Sequence, residues 1–130
     1  MSEEHVRKAI EERLATIWGS TTPIAWDDDS QFTPKKGEDF IRPSFECIGS
    51  SNIAIKCERN NYLLTIEVNT VKGKGSGTNL RHSDTIKDGF VYQTFDGVVF
   101  KNGEVKRTGQ IREWYQRRVL INLYYNNTRS

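Results

Sequence analysis

A chain of 130 residues is long enough for one domain with an ordinary core, held without a metal or a disulfide staple. Its mean hydropathy is −0.67 and 35% of its residues are hydrophobic, yet it carries three Trp, five Tyr and six Phe, too many aromatics for a disordered chain. A net charge of +2 is too small to make a dedicated nucleic-acid binder the leading reading.

No run of residues approaches the roughly 18 apolar positions of a membrane-spanning helix. The charge is unevenly spread. Residues 1–46 hold six Lys/Arg against ten Asp/Glu, and residues 47–130 hold thirteen against seven. A mixed, solvated surface is the plain reading. Complementary poles that meet between neighbouring subunits, or on other proteins, are the functional one.

The N-terminus, Met1–His5, is acidic and lacks an apolar run, so no signal peptide is expected. A helix is expected from about Glu3 to Trp18. Val6, Ile10, Leu14 and Ile17 recur at helical spacing, Ser2 is a suitable N-cap, and Gly19 supplies the stop. Pro23 and Pro34 exclude a long helix beyond it, and Ile24–Trp26 suits a short edge strand. The consecutive Asp27, Asp28 and Asp29 lack the spacing of a calcium loop and read as a solvated turn.

Phe40–Ile48 reads as a strand, with Pro43 placing it at an edge or a strand start. Gly49–Asn52 reads as a turn, Ile53–Ile55 as a returning strand, and Glu58–Asn61 as a bulge or turn. Cys47 and Cys57 could face each other across a hairpin; as two reduced thiols they need no partner. The next strand is the clearest. Tyr62, Leu64, Ile66 and Val68 alternate with Thr65, Glu67 and Asn69, so one face is buried and the other wet or partner-facing.

This order of short matches resembles a known family. "ERLATIW" closes the first helix, "PIAW" and "FTP" follow, "FIRPSF" starts a strand, "LLTIEV" forms the next, and a glycine-rich loop and a helix come after. Together they are similar to the tail terminators of long-tailed bacteriophages, the minor tail protein U-like proteins. The likeness covers most of the chain and leaves out residues 49–61 and 91–107. It implies a virion structural protein of the tail and neck, assembled in the host cytoplasm, whose α/β protomers form a homo-oligomeric ring, a hexamer. The ring would cap the tail tube protein, end its polymerisation and meet the head-completion (stopper) protein, with genome DNA a candidate to pass through its lumen.

The loop Gly73-Lys74-Gly75-Ser76-Gly77-Thr78 sits between a strand and a helix, where phosphate loops sit. It fails both the Walker spacing and the dinucleotide fingerprint, so no nucleotide or other cofactor is expected. A helix follows to Phe90, with Leu80, His82, Ile86, Gly89 and Phe90 roughly along one side. His82 has no Ser or Cys motif beside it to make a catalytic base, and His5, His82, Cys47 and Cys57 hold no zinc spacing. No paired carboxylates stand at useful spacing, so no enzyme is expected.

Asn102-Gly103, flanked by alternating residues, reads as a hairpin turn. The last strand is expected from about Gln110 to Tyr125. Tyr115, Arg117, Val119, Ile121, Leu123 and Tyr125 share one face and Trp114, Gln116, Arg118, Leu120, Asn122 and Tyr124 the other. With bulky groups on both, a central or partner-covered strand follows. The fold class is therefore α+β, a mainly antiparallel sheet with an N-terminal helix and a second helix packed on one face, in a single domain over 1–130.

Candidate subunit and tube contacts are Trp26 and Phe32 near the edge, Lys72 and Lys74 in the loop, and Trp114, Arg117 and Arg118 on the last strand. Arg and aromatics are the residues enriched at interfaces. The same basic, aromatic C-terminal half offers an alternative, a single-stranded nucleic-acid-binding module working by charge and stacking.

Overall fold

The computed structural model describes residues 2–19, 21–26, 38–54, 57–71, 76–111 and 114–128. Two helices, α1 (Ser2–Trp18) and α2 (Ser76–Phe90), accompany five strands: β1 (Phe40–Ala54), β2 (Cys57–Val71), β3 (Thr94–Phe95), β4 (Val98–Ile111) and β5 (Trp114–Thr128). The strands form one sheet, ordered β1-β2-β5-β4-β3, with every neighbouring pair antiparallel. This is the α+β fold that the pattern of residues calls for. The crossover through α2 carries the chain past an empty position, which β5 then fills, so the last strand becomes the centre of the sheet. No helix among the described residues is long and apolar enough to cross a membrane.

The core lies between the helices and one face of the sheet. On β2, Tyr62, Leu64, Ile66 and Val68 are buried, and Leu123, Ile121 and Val119 of β5 stand opposite the first three of them. Above them α1 lays down Val6, Ile10, Leu14 and Trp18, the stripe its spacing predicts except that Trp18 takes the fourth place and Ile17 is only partly buried. Gly19 ends the helix at φ 57°, a left-handed stop that costs a residue without Cβ little. The two helices cross closely at Gly89, where an added Cβ would come within 2.5 Å of Ile17.

Several local expectations are corrected. β1 runs unbroken through Gly49–Asn52, which were expected to turn, and Glu58–Asn61 belong to β2. Their backbones satisfy each other in the ladder, with a bulge between Cys47 and Gly49, and Ser50 Oγ donates to Asn60 Oδ1 at 2.7 Å. Cys47 lies opposite Tyr62 and Cys57 opposite Ala54, so the two free thiols do not face each other. Asn102-Gly103 is a bulge inside β4. The tight turn falls at Asp96-Gly97, where φ is 51° and 78°, the paired positive values of a two-residue hairpin between β3 and β4. Gly103 serves close approach instead: a Cβ there would meet Val91 at 2.9 Å and the Leu120 carbonyl at 3.1 Å.

The last strand begins at Trp114, and Gln110 belongs to β4. Ile24–Trp26 contributes a single parallel bridge, Ile24 to Ile41. On α2 the inner row is Asn79, Ser83, Ile86 and Phe90, and Leu80 points outward at 45% exposure. Asp27–Asp29 lie outside the described residues.

Candidate functional site

The sheet has two unlike faces. On the helix side, α2 is pinned by Asn79, fully buried. Its Nδ2 shares two N–H groups among Val68 O at 2.9 Å, Thr70 Oγ1 at 3.1 Å and Tyr115 O at 3.0 Å, while its Oδ1 accepts from Arg117 Nη1 at 3.1 Å. Every polar atom of that amide is used, as burial demands. Ser83 Oγ bonds back to Asn79 O at 2.9 Å. His82 meets the Trp18 ring edge-on at 5.0 Å. Among the described residues no group of three or more His, Cys, Asp or Glu could hold a metal.

The other face carries neither helix. Strand alternation puts Leu63, Thr65 and Glu67 of β2 there, beside Gln116, Arg118, Leu120, Asn122 and Tyr124 of β5. Leu63, Leu120 and Tyr124 are half-buried rather than buried, since only their strand neighbours cover them. Arg59 lies over the Tyr124 ring at 4.0 Å and donates to Asn126 Oδ1 at 2.9 Å. Arg118 is ion-paired with Glu67 at 3.8 Å. Gln116 Nε2 donates to Asn69 Oδ1 at 3.0 Å, but Asn69 Nδ2 and Gln116 Oε1 find no partner although both residues are buried.

The sheet also has two open edges. On β1, Ile41 is engaged on its outer side, donating to Pro23 O at 3.1 Å and accepting from Ala25 N at 2.8 Å. Beyond that bridge no described strand pairs with the outer side of β1. Pro43, with no N–H to offer, sits on this edge, where proline is tolerated. On the far side β3 covers only Val98 and Val99. Tyr92 N donates to Lys101 O at 3.1 Å and Phe100 N to Gln93 O at 2.8 Å, and no described strand follows β4 from there to Ile111.

A cleft of about 150 Å³ opens between α1 and β1. Its lining includes apolar Ile10, Trp26, Phe45 and Leu64, together with Arg7 and Glu11, whose side chains pair at 3.7 Å.

The expected contact residues are thus dispersed. Trp26 lines the cleft at the β1 edge. Trp114 stands on the helix-free face at its end, edge-on to Phe40 at 5.5 Å, with Nε1 donating to Glu38 O at 3.0 Å. Arg118 is exposed on that face, whereas Arg117, its neighbour in sequence, is turned to the helix side and held by Asn79. The same alternation divides the basic and aromatic residues at the start of β5, Tyr115 with Arg117 on one face and Trp114 with Arg118 on the other. Phe32, Lys72 and Lys74 lie outside the described residues.

One residue that the sequence reading passed over stands out. Tyr92 follows the end of α2, is 79% exposed and has φ 58°. Its only signal in the sequence is an aromatic two residues beyond a helix end.

No family model matches the chain and no curated protein does. A solved structure of a protein that carries no functional name is similar to it, with a TM-score of 0.63 at 17% identity over 100% of this chain and 97% of that one. At that identity the likeness speaks for the fold alone.

Proposed function

We propose that the chain is a virion structural protein whose copies form a ring, a hexamer, that caps the tail tube and joins it to the head-completion protein. The reading rests on the sequence resemblance to tail terminators, and one structural observation carries it furthest. The sheet's two open edges run in opposite directions, because β1 is antiparallel to β2, β2 to β5, and β5 to β4. A copy placed head-to-tail brings its β4 edge antiparallel to the β1 edge of its neighbour. That relation continues the pairing rule of the sheet and removes both edges when a ring closes.

Capping then needs no chemistry. One side of the ring docks on the last tube layer, and the other side lacks the groups to continue it, so growth stops. The helix-free face, with Leu63, Leu120 and Tyr124 half-covered, offers apolar surface to such contacts. Native mass measurement and electron microscopy of the purified chain test the reading. Rings are expected, and mixing them with the tail tube protein should arrest tube elongation. A chain that stays monomeric at the highest attainable concentration, and leaves tube growth unchanged, would overturn it.

A further inference from the structure

We propose that the β1 edge of one copy joins the β4 edge of the next in one register, with Phe45 beside Arg107, Cys47 beside Val105, and Glu46 opposite Lys106. The inference rests on the head-to-tail reading above and names the residues that join. In an antiparallel sheet the N–H and C=O of one residue point to the same flank, and successive residues alternate. Ile41 points both groups outward, to Pro23 O and Ala25 N. Phe45 and Cys47 share its phase, ahead of the bulge between Cys47 and Gly49. Carried through the ladder, that alternation turns Arg42 to Glu67, Val68 to Arg117, and Arg118 to Lys106. Gly103, Val105 and Arg107 are therefore the β4 residues whose backbone groups point away from the sheet. On both edges these are residues on the helix side, where Phe45 and Val105 pack against the core. A neighbour joined edge to edge thus keeps its helices on the same side, and the sheet continues without turning over.

The usable stretch is short at both edges. On β1, Ile41 is already engaged and Pro43 has no N–H, which leaves Phe45 and Cys47 before the bulge. On β4, the Tyr92 N–H takes Lys101 O, and bulges flank Gly103–Arg107. Two antiparallel registers seat both β1 residues within that stretch. In one, Phe45 lies beside Val105 and Cys47 beside Gly103, and Glu46 meets Glu104. In the other, Phe45 lies beside Arg107 and Cys47 beside Val105, and Glu46 meets Lys106. Like charges directly opposite each other destabilise a strand pair and unlike charges favour it, so the second register is selected. Lys106 already holds Glu104 at 3.6 Å, both 63% exposed, but that weak pair is present in either register and does not choose between them. The helix side agrees. Half-buried Val105 comes beside the exposed Cys47 thiol, where the other register offers only Gly103. Exposed Arg107 comes beside the half-buried Phe45 ring, a cation–π pairing.

Native mass measurement over a concentration series at low salt tests the register. Glu46→Lys should weaken self-association about fivefold, Lys106→Glu likewise, and the chain carrying both should regain the natural affinity. The rejected register gives Glu46→Lys the opposite sign, because the new lysine would then face Glu104. Both positions are exposed, so the thermal midpoint of the protomer should move little. Cross-linking reads the register a second way. Glu46 and Lys106 would form a non-hydrogen-bonded pair with Cα atoms about 4.5 Å apart, within disulfide reach. In a Cys47→Ser, Cys57→Ser background, Glu46→Cys with Lys106→Cys in one chain should oxidise to covalent multimers, and Glu46→Cys with Glu104→Cys should do so far less. Tighter association of Glu46→Lys, stronger cross-linking in the Glu104→Cys chain, or none in either chain while the natural one assembles, would overturn the register and leave the ring reading standing. A natural chain that never associates overturns both.

Discussion

The two faces of the sheet use the same strands and obey different rules. On the helix side Leu64, Ile66, Val119 and Ile121 are sealed by α1 and α2, and the buried amide of Asn79 has every polar atom bonded. On the other side, residues one position away in sequence are half-covered, and the buried Asn69–Gln116 pair shares a single hydrogen bond with an N–H and a carbonyl left over. The difference teaches where the stability of the protomer resides. The helix face is a finished interior, in which sequence answers to packing. The opposite face keeps leucine, tyrosine and arginine that the protomer does not need for its core.

The largest effect that sharpens this contrast is a pair of leucines in adjacent positions. Leu64→Ala opens a cavity in the sealed core and should cost about 3 kcal/mol or more. Leu63→Ala removes a half-covered side chain and should cost about 1 kcal/mol. Denaturant titration of the two variants measures both. Equal losses would mean that the helix-free face is as much an interior as the other, and the contrast drawn above would fail.

A smaller effect compares the amides. Asn79→Ala strips donors from Val68 O, Thr70 Oγ1 and Tyr115 O and an acceptor from Arg117, and should cost about 2–3 kcal/mol, since each buried group left unpaired is expensive. Replacing both members of the other pair, Asn69→Val with Gln116→Leu, should change stability by about 1 kcal/mol or less in either direction. Removing both partners together leaves no orphan behind and deletes two that exist already. Thermal unfolding of the two variants distinguishes them directly.

These comparisons also explain what was legible in the residues. The sealed face was, because burial on one side writes a period of two into Tyr62–Val68 and a period near four into Val6–Leu14. Bulky groups on both faces of the last strand pointed to a central or a partner-covered strand, and in the sheet it is central. The inner row of α2 was not legible. Asn79 displaced Leu80 there because three backbone and hydroxyl acceptors on β2 and β5 await a donor, and acceptors on distant strands leave no local mark. Gly49–Asn52 and Asn102-Gly103 carried turn residues, yet long-range ladder pairing kept both stretches extended, while Asp96-Gly97 made the tight turn. Of the site, Trp26, Trp114 and Arg118 reach the edge or the helix-free face, but the alternation of β5 hides Arg117. Tyr92 was invisible because left-handed backbone in a tyrosine has no sequence signature.

The next effect lies at the edge. Tyr92→Gly relieves a left-handed residue and should stabilise the protomer by about 1 kcal/mol. Equilibrium unfolding measured at low protein concentration isolates this from any assembly. A loss of stability instead would mean that the exposed ring packs within its own protomer.

The last comparison sets two neighbouring arginines against each other, and the exposed one should have the smallest effect on stability. Arg117 reaches Asn79 on the covered side, so Arg117→Ala should cost about 1.5–3 kcal/mol as a charged group withdrawn from a buried acceptor. Arg118 holds Glu67 at 3.8 Å in the open, where ion pairs are worth about 0–1 kcal/mol, so Arg118→Ala should leave the unfolding midpoint almost unchanged. Its consequence belongs elsewhere. Arginine is enriched where proteins meet, and this one lies on the face that neither helix covers. Arg118→Glu should therefore weaken ring assembly or tube docking in salt-dependent fashion while the monomer stays folded, and Arg117→Ala should weaken both only in step with its lost stability. If assembly follows stability alone across the two variants, the helix-free face has no part in docking, and the lateral edges must carry the ring by themselves.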